Sequence, residues 1–420
     1  MLKQIEGSRA MAEGIAFCRP EVVCAYPITP QTHIVEGLGE MVRTGELKNC
    51  EFINVESEFA ALSVAIGASA AGARAYTATA SQGLLFMAEA VYNASGLGLP
   101  IVMTLGNRAI GAPINIWNDH SDAMSMRDAG WMQLFAETNQ EAVDLHIQAF
   151  RLAEELSMPV MVCVDGFILT HAVERIDIPD QADVDAFLPA YEPVQVLDPE
   201  QPISIGAMVG PDAFTEVRFL QHYKQNLALR LLPEFAAEFN ARFGRDSGGL
   251  LRTYRTEDAE VLVVAMGSIN GTIKDTIDEM RAEGVRIGLV TLVSFRPFPT
   301  QALRDVLFGA SHVVVVEKSF AIGMGGQLAN NVDLALRNTP RAPQVHSAVA
   351  GLGGRPITRP SLRRLFRQAL VQPWEGIHFL DLNEAIVAKE LHHVRKVRRS
   401  GPTAENILRY LSAGAQQAAE

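Results

Sequence analysis

Asn54-Val55-Glu56-Ser57-Glu58-Phe59-Ala60-Ala61 joins a short apolar run to an Ala-rich stretch and places two carboxylates at the join. Residues 51–55 upstream read as a buried strand, and residues 58–72 downstream carry helical spacing. Acids in a first helical turn are favoured by the macrodipole, which accounts for Glu56. Glu58 is followed directly by apolar and small residues, so folding can draw it into a crevice. A buried carboxylate needs a partner or a raised pKa, and either is a mark of function.

Working outward, the same alternation recurs. Residues 21–26, 73–80, 100–105 and 159–164 are further short apolar runs, separated by stretches such as 83–95 and 139–155 with helical spacing. Strand, helix, strand, repeated, predicts an α/β fold with a parallel sheet covered on both faces. Ligands on such sheets sit beyond the carboxyl ends of the strands, so the polar junctions there carry the interest. Tyr26-Pro27-Ile28-Thr29-Pro30-Gln31-Thr32 brackets a hydroxyl with two prolines. That either fixes the Thr29 hydroxyl rigidly or makes a turn leading to a helix capped by Thr32. Thr79-Ala80-Ser81-Gln82-Gly83-Leu84 is a strand-to-helix turn of small residues, open to a ligand or simply a helix cap. Gly106-Asn107-Arg108-Ala109 puts a guanidinium at a strand end, suited to two-point capture of a carboxylate or to a structural ion pair. The loop Asn115-Ile116-Trp117-Asn118-Asp119-His120-Ser121-Asp122 contains a Ser/His/Asp grouping, but no nucleophile elbow surrounds Ser121.

Five prolines between 179 and 202 mark a connecting arm, followed by a helical stretch over about 212–243. Arg245-Asp246-Ser247-Gly248-Gly249 reads as a hinge. Strands at 261–265, 285–292 and 312–317, with helices at 272–283 and 299–307, make a second, smaller α/β unit. Gly-rich turns at 323–326 and 351–354 lack a dinucleotide fingerprint's context. The organisation expected is residues 1–235, including the arm, then residues 250–375, then a helical tail over residues 376–420.

With 420 residues, 48% of them hydrophobic and 20% charged, the chain has room for two or three domains with a substantial core. A formal net charge of −12 argues against broad nucleic-acid binding. The basic stretch Arg395-Lys396-Val397-Arg398-Arg399 reads as a solvated helix face or a subunit contact, and His392-His393 as exposed surface. Four cysteines with no C-x-x-C pair exclude a disulfide framework and leave too few thiolates for an iron–sulfur cluster. No signal peptide or bilayer-length apolar run is present, so a cytoplasmic protein is expected.

The segments at 26–32, 56–61, 79–83, 107–109 and 117–122, in this order and spacing, resemble those of α subunits of 2-oxoacid:ferredoxin oxidoreductases, of the pyruvate, 2-oxoisovalerate and phenylglyoxylate type. The resemblance is strong over the first half and looser over 261–268 and 351–355. It implies a pyrimidine-binding domain for thiamine diphosphate, followed by a domain like the C-terminal one of transketolases. It implies that Glu58 hydrogen-bonds the cofactor's aminopyrimidine ring, that Ser81 and Gln82 contact the cofactor, and that Thr29 and Arg108 hold the substrate carboxylate and keto group. A complete enzyme of this kind needs a Gly-Asp-Gly motif and a later Asn for Mg²⁺ and the diphosphate. The nearest stretch, Val164-Asp165-Gly166-Phe167, does not fit. The resemblance therefore implies a β subunit holding Mg²⁺ and diphosphate, γ and δ subunits with iron–sulfur clusters on partners, coenzyme A as cosubstrate, and ferredoxin or another acceptor. Half of a split non-redox transketolase-like enzyme, or a non-catalytic scaffold subunit, are the competing expectations. Phe59, Trp117 and Trp131 are candidates to line a larger substrate pocket, though apolar core explains them as well.

Overall fold

A computed structural model describes residues 1–394 and 401–417. The basic stretch at 395–399 lies outside the described residues. Two compact units are present, Met1–His378 and Phe379–Glu420.

The first unit is built on two sheets. The larger runs, edge to edge, Ser294–Arg296, Met132–Phe135, Val160–Asp165, Val102–Asn107, Ala75–Thr79, Val22–Ala25, Glu51–Asn54. Every pairing is parallel except that of Ser294–Arg296 with Met132–Phe135. That antiparallel edge strand comes from the second half of the chain, so the two halves share a sheet.

Both faces of the large sheet are covered, and the strand sequences show why. Along Val160–Asp165 the residues alternate between two cores. Val160, Val162 and Val164 face the helices Gly7–Phe17, Thr32–Thr44, Asn139–Leu156 and Pro211–Phe243, while Met161 and Cys163 face the opposite side. The second core is continuous with the smaller sheet, since Leu62, Met103 and Leu105 pack in one cluster with Leu262, Val264, Val290 and Val315. Strands buried on both faces read as unbroken apolar runs rather than as alternation.

Five successive strands of the smaller sheet run Gln344–Val349, His312–Glu317, Val261–Ala265, Ile287–Leu292 and Leu251–Tyr254, and among these only the last is antiparallel to its neighbour. A separate two-stranded ribbon pairs Leu2–Glu6 with Val173–Asp177.

The helix Pro211–Phe243 runs through residue 235 without a break. The glycines after it do not form a hinge. Arg245 is ion-paired to Asp144 at 2.8 Å, and Ser247 Oγ donates to the same carboxylate. A Cβ on Gly248 would stand 2.3 Å from Gln148 Oε1. The residues 245–248 are pinned to the helix Asn139–Leu156, because a left-handed backbone against a buried glutamine side chain requires glycine there. The second unit carries two helices, Glu384–Val394 and Thr403–Gln417. Among the described residues, no helix is long and apolar enough to cross a membrane.

Candidate active site

Parallel strands put their carboxyl ends on one edge. That edge gathers the junctions after Ala25, Asn54, Thr79, Asn107 and Asp165, so Thr29, Glu58, Ser81 and Arg108 converge from four separate segments.

Glu58 opens the helix Glu58–Ala70. The cap is Ser57, whose Oγ accepts from Ala60 N at 3.2 Å, so the helix start is satisfied without Glu58. Only 8% of Glu58 is exposed, and its carboxylate makes no hydrogen bond among the described residues. It lies over Gly83: a Cβ there would stand 2.7 Å from Glu58 Oε1 and 2.5 Å from Thr79 Oγ1. The Thr79 hydroxyl is buried and likewise unpartnered. Glu56 is exposed.

Arg108 is 7% exposed. Its Nη1 donates to the Thr29 carbonyl at 2.9 Å and its Nε to the Asn115 carbonyl at 3.2 Å. The guanidinium has five N–H donors, so Nη2 is left with none of its bonds made among the described residues. Burial lowers its proton affinity, opposed by the nearby Asp122 carboxylate. Thr29 itself is exposed.

Ser81 sits in the left-handed region, φ +47°, where a residue with a Cβ is strained. Asp122 holds it there. This fully buried carboxylate accepts from Ser81 N and Arg108 N, both at 3.0 Å, from Asn107 Nδ2 at 2.9 Å, and from Ala123 N at 2.8 Å. One side chain thus fixes the start of two of the four junctions. Burial pushes its carboxyl up to about 7, with the four N–H donors pulling the other way. Ser81 Oγ bonds the Ala109 carbonyl, and Gln82 Oε1 lies beside it. Gln82 Nε2 in turn crowds Gly111.

The Ser/His/Asp grouping of the 115–122 loop does not come together as a triad. Ser121 Oγ donates to Asp119, Asp122 is occupied by backbone, and His120 Nε2 lies 2.8 Å from Asp165. Asp165 also takes the Lys318 ammonium at 3.0 Å and both N–H and O–H of Ser268. Burial alone would raise this carboxyl, but Lys318 and His120 beside it hold it well below the usual range. A carboxylate so fully engaged is not available to a metal. The same loop docks on the second Gly-rich turn, through Gly353 N to Asp119 at 3.1 Å and Gly354 N to the Asn118 carbonyl at 2.8 Å. Lys318 has no place in the sequence reading, and Asp122 and Ser268 enter it only as members of the 115–122 loop and the 261–268 segment. An ionisable residue directly after an apolar strand, as in Val313-Val314-Val315-Val316-Glu317-Lys318, was the signal available.

Trp131 is buried and donates its indole N–H to the Val91 carbonyl at 2.8 Å, which makes it core and not pocket. Phe59 and Trp117 are partly exposed. The cysteines are free, and burial raises each thiol, Cys24 and Cys50 to about 11.

Two family descriptions match this chain. "Pyruvate flavodoxin/ferredoxin oxidoreductase, thiamine diP-binding" covers residues 13–229, and "Pyruvate:ferredoxin oxidoreductase core domain II" covers residues 259–361. Pyruvate synthase subunit PorA of Methanosarcina barkeri is 46% identical over 91% of this chain and 97% of its own length. PorA of Thermotoga maritima is 44% identical over 87% and 94%. Ketoisovalerate oxidoreductase subunit VorA of Pyrococcus horikoshii is 40% identical over 85% and 90%. Among solved structures, a 2-oxoglutarate:ferredoxin oxidoreductase from Magnetococcus marinus superposes with a TM-score of 0.69 at 18% identity, over 88% of this chain and 65% of that one. A split-gene transketolase superposes at 0.53 and 14% identity, over 89% of this chain and all of the other. Both establish the fold. The class defined is the thiamine-diphosphate-dependent 2-oxoacid oxidoreductases, acting as a multi-subunit enzyme. Within it, the chain belongs to the pyruvate:ferredoxin oxidoreductase α-subunit family, that of PorA.

Proposed function

We propose that this subunit supplies the pyrimidine-binding half of the active site for CoA-dependent oxidative decarboxylation of pyruvate. Support for the cofactor half is the Glu58 carboxylate, shielded yet without a hydrogen-bond partner, above a glycine that leaves room for it. Such a group fits a ring nitrogen that must be protonated. When bound, thiamine diphosphate supplies a nucleophilic ring carbon and a sink for the electron pair released with carbon dioxide. Glu58 holds and returns the proton at the pyrimidine nitrogen. Ser81 and Gln82, at the strained turn gripped by Asp122, line the ring's approach. Arg108, anchored through Nη1 and Nε, keeps Nη2 for the substrate carboxylate, and Thr29 stands beside it.

The rest of the site comes from partners. Asp165 is committed to Lys318, His120 and Ser268, so Mg²⁺ and the diphosphate are held by a β-type subunit. Iron–sulfur clusters on further subunits of γ and δ type carry the electrons to ferredoxin. Ile114, Trp117 and Ile168 stand exposed around the carboxyl edge, an apolar rim for the β-type subunit to cover. Pyruvate is preferred over 2-oxoisovalerate or phenylglyoxylate because the relatives of higher identity are pyruvate synthase subunits. The complex, purified anaerobically through this chain, should reduce a viologen dye with pyruvate and coenzyme A. Preference for a branched or aryl 2-oxoacid would overturn the substrate. No reduction with any 2-oxoacid, by a complex containing clusters and thiamine diphosphate, would overturn the activity and favour the non-redox or scaffold readings.

A further inference from the structure

Apart from the residues assigned to cofactor and substrate, three potential metal ligands come together from three segments. Glu6 ends the strand Leu2–Glu6, His33 lies in the first turn of the helix Thr32–Thr44, and His171 lies just before the strand Val173–Asp177. One donor atom from each falls within 4.8 Å of the other two. His33 Nδ1 is 2.7 Å from Glu6 Oε1, and the two imidazole rings are 5.1 Å apart.

The surroundings are those of a held site. Glu6 and Val173 are paired in register, Gly7 N donates to the Ala172 carbonyl, and both N–H and O–H of Ser8 reach the Thr170 carbonyl. His171 Nδ1 is 2.7 Å from Thr170 Oγ1, which also accepts from Phe167 N at 2.8 Å. That hydroxyl has a lone pair left for an Nδ1–H, which would fix the tautomer and leave Nε2 as the ligand. The ring also packs on Phe167, centroids 4.8 Å apart.

We propose that Glu6, His33 and His171 bind one divalent transition-metal ion of the Zn²⁺ class, leaving a fourth position for water. Two imidazoles and a carboxylate are a zinc donor set, whereas Mg²⁺ and Ca²⁺ require oxygen ligands throughout. Tetrahedral zinc with bonds near 2.0–2.2 Å wants donor atoms about 3.4 Å apart. Rotation of these partly exposed side chains on fixed backbones would open the 2.7 Å Glu6–His33 contact and draw the wider separations, up to 4.8 Å, inward. The ion would clamp the 166–171 turn, and that turn backs the substrate segment: a Cβ on Gly166 would stand 2.5 Å from Pro30 Cγ. The alternative is a plain Glu6–His33 ion pair with a histidine stacked beside it.

The two are separated by zinc uptake. The complete complex, treated with chelator under anaerobic conditions, is dialysed to equilibrium against micromolar ZnCl₂, and bound zinc is counted by mass spectrometry. Wild type should hold one zinc per copy of this chain more than His33→Ala or His171→Ala, with excess Mg²⁺ failing to displace it. Zinc should also raise the unfolding temperature of the wild-type complex and not of the variants. His33→Gln, which keeps size and polarity, gives the same readout where an alanine variant is poorly folded. Equal zinc content in wild type and all variants, or displacement by Mg²⁺, would overturn the site.

Discussion

A carboxylate at a helix start usually answers to the helix's own N–H groups, and Glu58 is relieved of that duty by Ser57. Its neighbours are a glycine and an unpartnered threonine hydroxyl, so position, not pairing, defines it. Gly83→Ala puts a methyl against both Glu58 Oε1 and Thr79 Oγ1. Turnover is expected to fall at least tenfold while subunit assembly, read by size-exclusion chromatography, is retained. At Arg108 the fork geometry is already half used. Arg108→Lys keeps the charge but loses the second point of attachment. The loss of a charged hydrogen bond worth about 1.5–3 kcal/mol should lower kcat/KM for the 2-oxoacid roughly ten- to hundredfold. An unchanged kcat/KM would place the carboxylate elsewhere.

Elements bring these residues together through Asp122, which no local pattern revealed. Its four N–H donors include the strained Ser81 and the backbone of Arg108. Asp122→Asn keeps the shape but turns an NH₂ toward at least two N–H groups. Each buried donor left unmet costs about 1–3 kcal/mol, so the variant should unfold at lower temperature and lose activity together. The parallel sheet and the carboxyl-edge location of Glu58, Thr29 and Arg108 were legible because apolar runs, helical spacing and Pro/Gly punctuation are local signals. The strand Ser294–Arg296, donated by the second half to the first sheet, was not. Neither was the pinning of Arg245–Gly248, where the glycines looked like freedom and Asp144 and Gln148 make them a fixed turn. Both depend on partners about a hundred residues or more distant, which periodicity cannot see.

At the scale of the whole molecule, the two sheets are joined by buried charge. Lys318, at the end of a strand of the smaller sheet, reaches Asp165 at the end of a strand of the larger. Lys318→Met removes the ammonium and leaves that buried carboxylate only His120 and Ser268, at a cost of about 3–5 kcal/mol near neutral pH. Because the folded protein holds Asp165 well below the usual value, its contribution is present above about pH 4 and is lost as pH falls further. Thermal unfolding between pH 3 and 7 should show a shallower acid limb in the variant. A limb as steep as wild type would mean that other carboxylates dominate.

The pyrimidine-side role of Glu58 is tested most directly by Glu58→Gln, assayed for dye reduction in the anaerobic complex at matched subunit and cofactor content. Loss of proton transfer predicts a fall of at least about a hundredfold, with Glu56→Gln close to wild type. Wild-type turnover in Glu58→Gln would contradict the assignment outright.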